Sequence, residues 1–275
     1  MTLHLVDRAE AYSNHTAIVV EEDAYTYSDL LRASSIVATR LLSGRKNLNA
    51  GRICILVPPG WDYVVTLWGI WRAGGVAVPM AISHPPAELA HVIEDAKPEA
   101  IIAHPTLFAQ INNLANKRGL PVLDGSTLSQ EIPLCEIPIV EEEGPSMILY
   151  TSGTTGRPKG VVLTHKNIRS QVESLTVAWG WDHDDHILLH LPLHHVHGIV
   201  NVLLSALWNG STCEIFPRFN AVEVWERLSH RNITLYMAVP TIYRRLIEAW
   251  KRANSATRTA WASGAGACRL SVSGS

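Results

Sequence analysis

Apolar positions along the chain alternate between helical spacing and short continuous runs, which predicts helices and strands in turn. Residues 29–42 carry apolar side chains at the spacing of a helix face, whereas residues 52–57 form a short apolar run typical of a buried strand. Up to residue 104 the pattern predicts helices at 29–42, 63–71 and 85–95 and strands at 52–57, 75–80 and 99–104. Such alternation is typical of α/β folds with mostly parallel sheets flanked by helices.

The same alternation returns after residue 145. It predicts strands at 146–150, 160–163, 186–191, 212–216 and 235–239, and helices at 166–178, 198–208, 221–231 and 241–253. The last seven residues, RLSVSGS at 269–275, predict a strand that enters a turn. A parallel strand without its crossover helix is an unusual end for a domain, so we expect an α/β fold that is incomplete at the C-terminus.

One segment interrupts the alternation. Residues 124–145 contain three prolines and the acidic run 141–143, which is typical of a linker between two subdomains. A solvated surface loop has the same composition, and the sequence leaves both interpretations open.

Composition excludes several classes of protein. Of the 275 residues, 47% are apolar and 17% are charged, which is typical of a globular domain. The formal net charge of −2 gives no reason to expect nucleic acid as a partner. The most membrane-like stretch, residues 63–82, contains Arg72 near its middle, and a central arginine disfavours insertion, so no membrane span is expected.

The cysteines and the N-terminus bear on the compartment. The four cysteines are widely spaced and form no C-x-x-C pair, so neither a zinc ribbon nor a disulfide framework is predicted. The first residues, MTLHLVDRAEAYSNH, show neither a secretory nor an organellar targeting pattern. We therefore predict a cytoplasmic location.

The segment TSGTTGRPKG, residues 151–160, has the composition of a phosphate-binding loop. Its backbone N–H groups and the hydroxyls at 151, 152, 154 and 155 suit several phosphate oxygens, and Lys159 adds a mobile positive charge. The spacing is not a Walker A loop, because Arg157 and Pro158 separate Gly156 from the lysine. It is not G-x-G-x-x-G at a helix start either, which disfavours a Rossmann site.

Six histidines between residues 183 and 197 raise the question of a metal site. Their spacing does not match H-E-x-x-H, and no acidic ligands are interleaved beyond Asp182, Asp184 and Asp185. We therefore predict no metal site there and single out only His195 and His197. The nine tryptophans recur inside apolar elements and are predicted to fill the core.

The motif YTSGTTGRPKGVVLTHKNI, residues 150–168, resembles the signature phosphate loop of the adenylate-forming superfamily, which includes acyl-CoA synthetases. Supporting segments are YTYSDLL at 25–31, GWDYVVTLWGIWRAGGVAVPM at 60–80, LPLHHVHG at 191–198, MAVPTIY at 237–243 and RLSVSGS at 269–275. The resemblance covers nearly the whole chain, apart from 253–267. It identifies residues 1–275 as part of the large N-terminal domain of such an enzyme.

This resemblance implies an acid–thiol ligase that works in two steps. A carboxylate attacks the α-phosphorus of ATP, with Mg²⁺ present, and coenzyme A then displaces AMP. Catalytic roles would fall to His195, Thr151 and Lys159. Nucleotide binding would involve Thr151, Ser152, Gly153, Thr154, Thr155, Gly156, Lys159, Gly274 and Ser275.

Within the superfamily, LPLHHVHG followed by MAVPTIYRRL resembles malonyl-CoA synthetases, which use a small dicarboxylic acid. A second carboxylate needs a cation, and Arg245 beside Arg244 could supply one, with His197 as a further donor. For one of the two arginines a solvated helix face is the alternative.

Members of the superfamily continue beyond this point, through further adenosine-binding motifs into a small C-terminal domain with a catalytic lysine. Those parts are absent from the 275 residues, so this chain alone is expected to be inactive. The alternatives are a non-catalytic nucleotide- or acyl-binding fragment and a ligase for a longer fatty acid.

Overall fold

The computed structural model describes residues 3–151, 157–230, 232–256 and 269–272. These residues form an α/β structure with two six-stranded sheets, as the alternating pattern predicts. The helices are α1 His4–Ala11, α2 Tyr27–Leu42, α3 Trp61–Arg72, α4 Pro86–Ala96, α5 Phe108–Asn116, α6 His165–Trp179, α7 Ser205–Asn209, α8 Ala221–His230 and α9 Pro240–Ala256, with a 3-10 helix at Pro105–Leu107 and a π-helix at His197–Leu204. No helix among the described residues is both long enough and apolar enough to cross a membrane.

The first sheet has the strand order β6-β5-β3-β4-β7-β8 and is parallel except for the β7–β8 pair. Its strands are β3 Arg52–Leu56, β4 Val76–Pro79, β5 Ala100–Ala103, β6 Val122–Asp124, β7 Pro145–Thr151 and β8 Lys159–Thr164. Residues 124–145 connect β6 and β7 of this one sheet, and Leu128, Ile137 and Val140 of the segment pack on the core. This placement favours a surface connection over a linker between subdomains.

The second sheet has the order β12-β11-β9-β10-β1-β2 and is parallel except for the β1–β2 pair. Its strands are β1 Thr16–Val20, β2 Asp23–Thr26, β9 His186–Leu189, β10 Thr212–Ile215, β11 Leu235–Ala238 and β12 Arg269–Val272. Strands β1 and β2 and helix α1 lie in the first 26 residues, where the apolar pattern predicted no element. The predicted helix at 198–208 is present as the π-helix and α7.

Three clusters of buried apolar residues hold the elements together. The inner strands β4, β5 and β11 are buried on both faces, as parallel strands flanked by helices usually are, whereas β8 and β2 at the sheet edges are largely exposed. In β3, Ile53 and Ile55 point into the core between the sheets, while Cys54 and Leu56 point to the outer core under α4 and α5. A third cluster joins β9 and β11 to α8 and α9. Trp68, Trp71, Trp181 and Trp208 are buried, whereas Trp250 is 43% exposed.

Two helix starts are fixed by side chains. The Thr26 side-chain oxygen accepts a hydrogen bond from the Asp29 backbone N–H, and the Asp29 carboxylate accepts one from the Thr26 backbone N–H. Thr164 and Asn167 form the same reciprocal pair before α6. Such capping boxes satisfy backbone N–H groups that a helix leaves free at its first turn. The second box holds α6 directly behind β8.

A buried carboxylate with two basic neighbours ties the second sheet to α8. The Glu214 side chain on β10 is fully buried, and its two carboxylate oxygens lie 3.1 Å from Nε2 of His186 and 3.3 Å from Nε of Arg227. The Arg227 side chain is 21% exposed. A carboxylate with no access to water depends on such partners for its charge.

Candidate active site

The two ends of the predicted phosphate segment lie on the antiparallel β7–β8 pair, called the hairpin below, at the edge of the first sheet. Strand β7 is buried from Ser146 to Leu149, then turns exposed at Thr151. The antiparallel register places Thr151 directly opposite Lys159, and both residues are exposed. The structure therefore brings together two of the predicted site residues. Ser152, Gly153, Thr154, Thr155, Gly156, Gly274 and Ser275 lie outside the described residues.

A glycine lets the two strands of the hairpin approach closely. A Cβ atom added at Gly160 would lie 2.9 Å from Cγ2 of Ile148 and 3.2 Å from Cζ of Tyr150. Any side chain there would push β8 away from the Tyr150 ring and disturb the Thr151–Lys159 pair. The sequence motif contains Gly160, and only the structure shows why a glycine is needed at this position.

The predicted histidine segment, LPLHHVHG at residues 191–198, follows the carboxyl end of β9. Tyr63 on α3 is buried and donates a hydrogen bond to the Leu193 carbonyl at 2.7 Å. A Cβ atom added at Gly198 would lie 2.5 Å from the Pro192 carbonyl oxygen. Close packing at Gly198 and the tyrosine bond together fix the path of this segment.

Three imidazoles lie side by side in and next to this segment. The ring centroids of His194 and His195 are 4.1 Å apart, and His84, in the loop after β4, meets His194 edge-on at 5.8 Å. Burial, with the charges of His195 and His84, lowers the pKa of His194 to about 4. Burial, together with His84, also lowers the pKa of His195. The rings of His194 and His195 are therefore neutral at neutral pH, and His195 is exposed.

His190 and His197 form a second pair. The His190 ring stacks on Tyr236 with centroids 5.3 Å apart, and burial together with the charge of His197 lowers the pKa of His190 to about 4. Burial also lowers the pKa of His197. His190 Nδ1 and His197 Nε2 are buried and make no hydrogen bond, as suits uncharged rings.

A cavity of about 190 Å³ opens between the two sheets at the carboxyl ends of their strands. It is lined by Val57, Pro59, Met80, Ile82, Ser83, His190, Leu191, Pro192, Leu193, His194, Pro217, Arg218 and Phe219. Because β4 and β7 are parallel neighbours, the β4 end that lines this cavity and Thr151 lie at the same sheet edge. Ligands of open α/β sheets bind at this edge.

The predicted cation Arg245 lies elsewhere, on the exposed side of α9. Hydrogen bonding to Arg244, with the charges of Arg244, Arg252 and Arg245, lowers the pKa of Glu248 on the same helix. Arg245 is not among the residues that line the cavity, whereas Arg218 is. Arg218 was missed because it follows a predicted strand without belonging to any motif.

Helix α4 also contacts the hairpin, which sequence reasoning missed. His91 Nε2 lies 2.8 Å from the Pro158 carbonyl oxygen, and the Tyr150 hydroxyl donates to Asp95 at 2.7 Å. The only available signal was the helical spacing of His91 and Asp95.

One cluster in the described part of the chain could hold a metal ion. Ligand atoms of Asp182, His183 and Asp184 lie within 4.8 Å of one another, and all three residues are exposed. The cluster follows α6 and precedes β9, and neither the cavity lining nor the hairpin contains its residues.

The buried histidines predict a pH-dependent stability. Burial lowers the pKa of His165 and of His190 to about 4, against an ordinary value of 6.5. Between about pH 6.5 and pH 4 the unfolded chain therefore binds protons that the folded chain excludes. The free energy of unfolding should fall as the pH drops through this window, by at most about 1.4 kcal/mol per pH unit for each histidine.

Urea unfolding at a series of pH values measures this slope. His190→Phe, which keeps an aromatic ring against Tyr236, should give a shallower slope than the wild type. Asn14→Gln, a change at an exposed residue that does not titrate, is the matched control and should keep the wild-type slope. Equal slopes for the wild type and His190→Phe would contradict the prediction.

Two mainly parallel sheets, with the Thr151–Lys159 pair and a histidine segment at their carboxyl edges, match the N-terminal domain of adenylate-forming enzymes. The chain belongs to the AMP-binding enzyme family, which matches residues 5–273.

Proteins of known activity resemble this chain closely. It is 41% identical to the mitochondrial malonate–CoA ligase ACSF3 of Xenopus laevis over 87% of its own length and 44% of that protein. It is 34% identical to malonate–CoA ligase of Arabidopsis thaliana, over 97% and 50% of the two chains. The chain thus spans about half the length of the curated relatives it matches.

Solved structures show the same relationship. MatB of Rhodopseudomonas palustris in its apo form has a TM-score of 0.80 at 26% identity, over 90% of this chain and 51% of that one. The ATP-bound form of the same protein has a TM-score of 0.81. The predicted fold class is therefore confirmed. A cytoplasmic location stays a prediction, since the ACSF3 relatives are named as mitochondrial.

Proposed function

We propose that these residues form the nucleotide- and acid-binding part of an acid–CoA ligase that activates malonate or a similar small carboxylic acid. The observation that carries the proposal is the position of the Thr151–Lys159 pair, at the same sheet edge as the cavity beside the histidine segment. The identity of 41% to a malonate–CoA ligase supports the choice of acid.

The proposed reaction has two steps, adenylation of the acid and formation of the thioester. A carboxylate oxygen of the acid bonds to the α-phosphorus of ATP, and the bond to the bridging oxygen breaks to release pyrophosphate. The thiol sulfur of coenzyme A then bonds to the acyl carbon of the adenylate, AMP leaves with the electrons of the broken C–O bond, and the thiol loses its proton. In the first step two anions must meet, so positive charge and aligned donors are required.

The proposed roles follow from position. Lys159 supplies a positive charge toward the phosphates, and the Thr151 hydroxyl donates beside it from the opposite strand. Mg²⁺ enters as the MgATP substrate, held chiefly by phosphate oxygens. His195 is neutral at neutral pH, so it can donate an N–H hydrogen bond to the carboxylate but forms no salt bridge with it.

The second carboxylate of malonate requires a cation near the cavity. Arg245, with His197 as a further donor, remains the prediction from the sequence motif. The position of Arg218 in the cavity lining makes it a second candidate. A bidentate guanidinium–carboxylate pair suits either residue.

The deciding experiment is an assay of pyrophosphate release with MgATP and malonate. We expect malonate-dependent release by the natural polypeptide that contains these residues. Little or no release is expected from the 275 residues alone, because they match only about half of the length of the relatives. Release by the short chain would contradict the expected inactivity and would mean that these residues suffice for adenylation.

The same assay tests the choice of acid and of arginine. Acetate and a long-chain fatty acid are the comparison substrates, and equal release with all three acids would overturn the malonate assignment. Arg218→Met and Arg245→Met form a matched pair of variants. The arginine that binds the second carboxylate is the one whose loss raises the KM for malonate while leaving that for ATP unchanged.

A further inference from the structure

Helix α4 contacts both strand ends of the hairpin, at Tyr150 before Thr151 and at Pro158 before Lys159. We propose that α4 positions this hairpin for nucleotide phosphates, with His91 and Asp95 as the positioning residues. The inference rests on the proposed function of the hairpin and assigns a role to a helix outside its motif.

The first anchor is a hydrogen bond to the strand end that carries Lys159. His91 Nε2 lies 2.8 Å from the carbonyl oxygen of Pro158, the residue before Lys159. A carbonyl only accepts hydrogen bonds, so Nε2 carries the proton and donates it. The contact therefore fixes the peptide from which the lysine extends.

The second anchor holds the opposite strand end. The Tyr150 hydroxyl donates to Oδ2 of Asp95 at 2.7 Å, and Tyr150 directly precedes Thr151. The His91 ring also meets the Tyr150 ring edge-on, with centroids 6.2 Å apart at 81°. Burial and the hydrogen bond to Asp95 raise the pKa of Tyr150, so its hydroxyl remains a donor.

The helix is itself firmly held. Leu89, Val92 and Ile93 on its inner face are buried in the outer core of the first sheet, in the same cluster as Ile148 of β7. His91 and Asp95 are four residues apart and therefore share one helix face. The two hydrogen bonds thus attach the hairpin to a helix that is packed on the core, rather than to a surface loop.

The same helix reaches the histidine segment at its other end. Glu88 Oε2 lies 3.4 Å from Nε2 of His84, which meets the His194 ring. Glu88, His91 and Asp95 follow one another at spacings of three and four residues, so they share one face of α4, and His84 lies in the loop just before it. The helix therefore contacts the proposed phosphate side directly and reaches the proposed acid side through His84.

The test is calorimetric binding of MgATP and of AMP to the natural polypeptide and its variants. His91→Leu should weaken ATP binding roughly five- to tenfold, the typical effect of one lost hydrogen bond, and AMP binding less than about twofold. AMP lacks the β- and γ-phosphates, so general damage to the fold would weaken both ligands in parallel.

Two further variants separate positioning from folding. His91→Gln keeps an N–H donor near the Nε2 position and should restore most of the ATP affinity. Tyr150→Phe removes only the hydroxyl that donates a hydrogen bond to Asp95, and it should likewise weaken ATP binding more than AMP binding. Glu94→Gln is the matched control on α4, because Glu94 pairs with Arg118 and not with the hairpin.

The outcomes are distinct. His91→Leu that binds ATP as tightly as wild type, or weakens ATP and AMP equally, overturns the positioning role. A wild type that binds ATP selectively but shows no malonate-dependent pyrophosphate release removes only the ligase proposal, and the variants still decide the positioning role. A wild type that does not bind ATP overturns both.

Discussion

Replacing Arg227 with methionine is expected to lower the free energy of unfolding by about 3–5 kcal/mol, the range found when one partner of a buried ion pair is removed. The Glu214 carboxylate is fully buried, and the guanidinium lies 3.3 Å from one of its oxygens. Methionine fills similar space but supplies no charge. Urea unfolding near neutral pH measures the loss.

The reverse change should cost less. Glu214→Met leaves Arg227, whose side chain is 21% exposed and which also reaches a carboxylate oxygen of Glu22 at 3.4 Å. The double variant Arg227→Met with Glu214→Met should be more stable than Arg227→Met alone, because no buried charge is left unpaired. A double variant as unstable as the sum of the two single ones would show that the loss comes from packing instead.

Replacing Lys159 with alanine is expected to reduce kcat/KM for ATP by roughly 10- to 100-fold. A hydrogen bond to a charged group contributes about 1.5–3 kcal/mol, and about 1.4 kcal/mol corresponds to a tenfold change. Lys159 is exposed at the strand end opposite Thr151, so its removal should leave the core intact. Malonate-dependent pyrophosphate release, measured over a range of ATP concentrations, gives the value.

The control for this variant is another exposed lysine of the same region. Lys166 lies in the first turn of α6 and pairs with Glu143 at 2.5 Å, away from the paired strand ends. Lys166→Ala should change kcat/KM for ATP by less than about twofold, as expected for a surface ion pair. If both variants lose activity equally, the role assigned to Lys159 is wrong.

The sequence predicted much of the fold because most elements are local. The strands on either side of residues 152–156 follow from apolar runs, and the Thr151–Lys159 pair follows once those strands form a hairpin. The α/β class follows from the alternation of periods. The π-helix at His197–Leu204 could not be distinguished from an α-helix, because eight apolar-rich residues fit both.

The missed features depend on partners that are distant in sequence. Strand β1 is short, and its neighbour β10 lies 196 positions further along the chain at the Thr16–Thr212 contact. The spacing of His91 and Asp95 predicts that they share one helix face, but it does not predict that their partners are Pro158 and Tyr150. Arg218 became a candidate only when the cavity was located.

The distant pairing of β1 also governs how the chain can be made. The Thr212 hydroxyl bonds to the Thr16 carbonyl across 196 positions, so β1 has no lateral partner on its β10 side until that part has left the ribosome. At about 5–20 residues per second, translation leaves that strand edge open for roughly 10–40 s. Chaperones that shield nascent β-strands therefore have a defined target in residues 16–20, and a chain halted before residue 215 would expose it permanently.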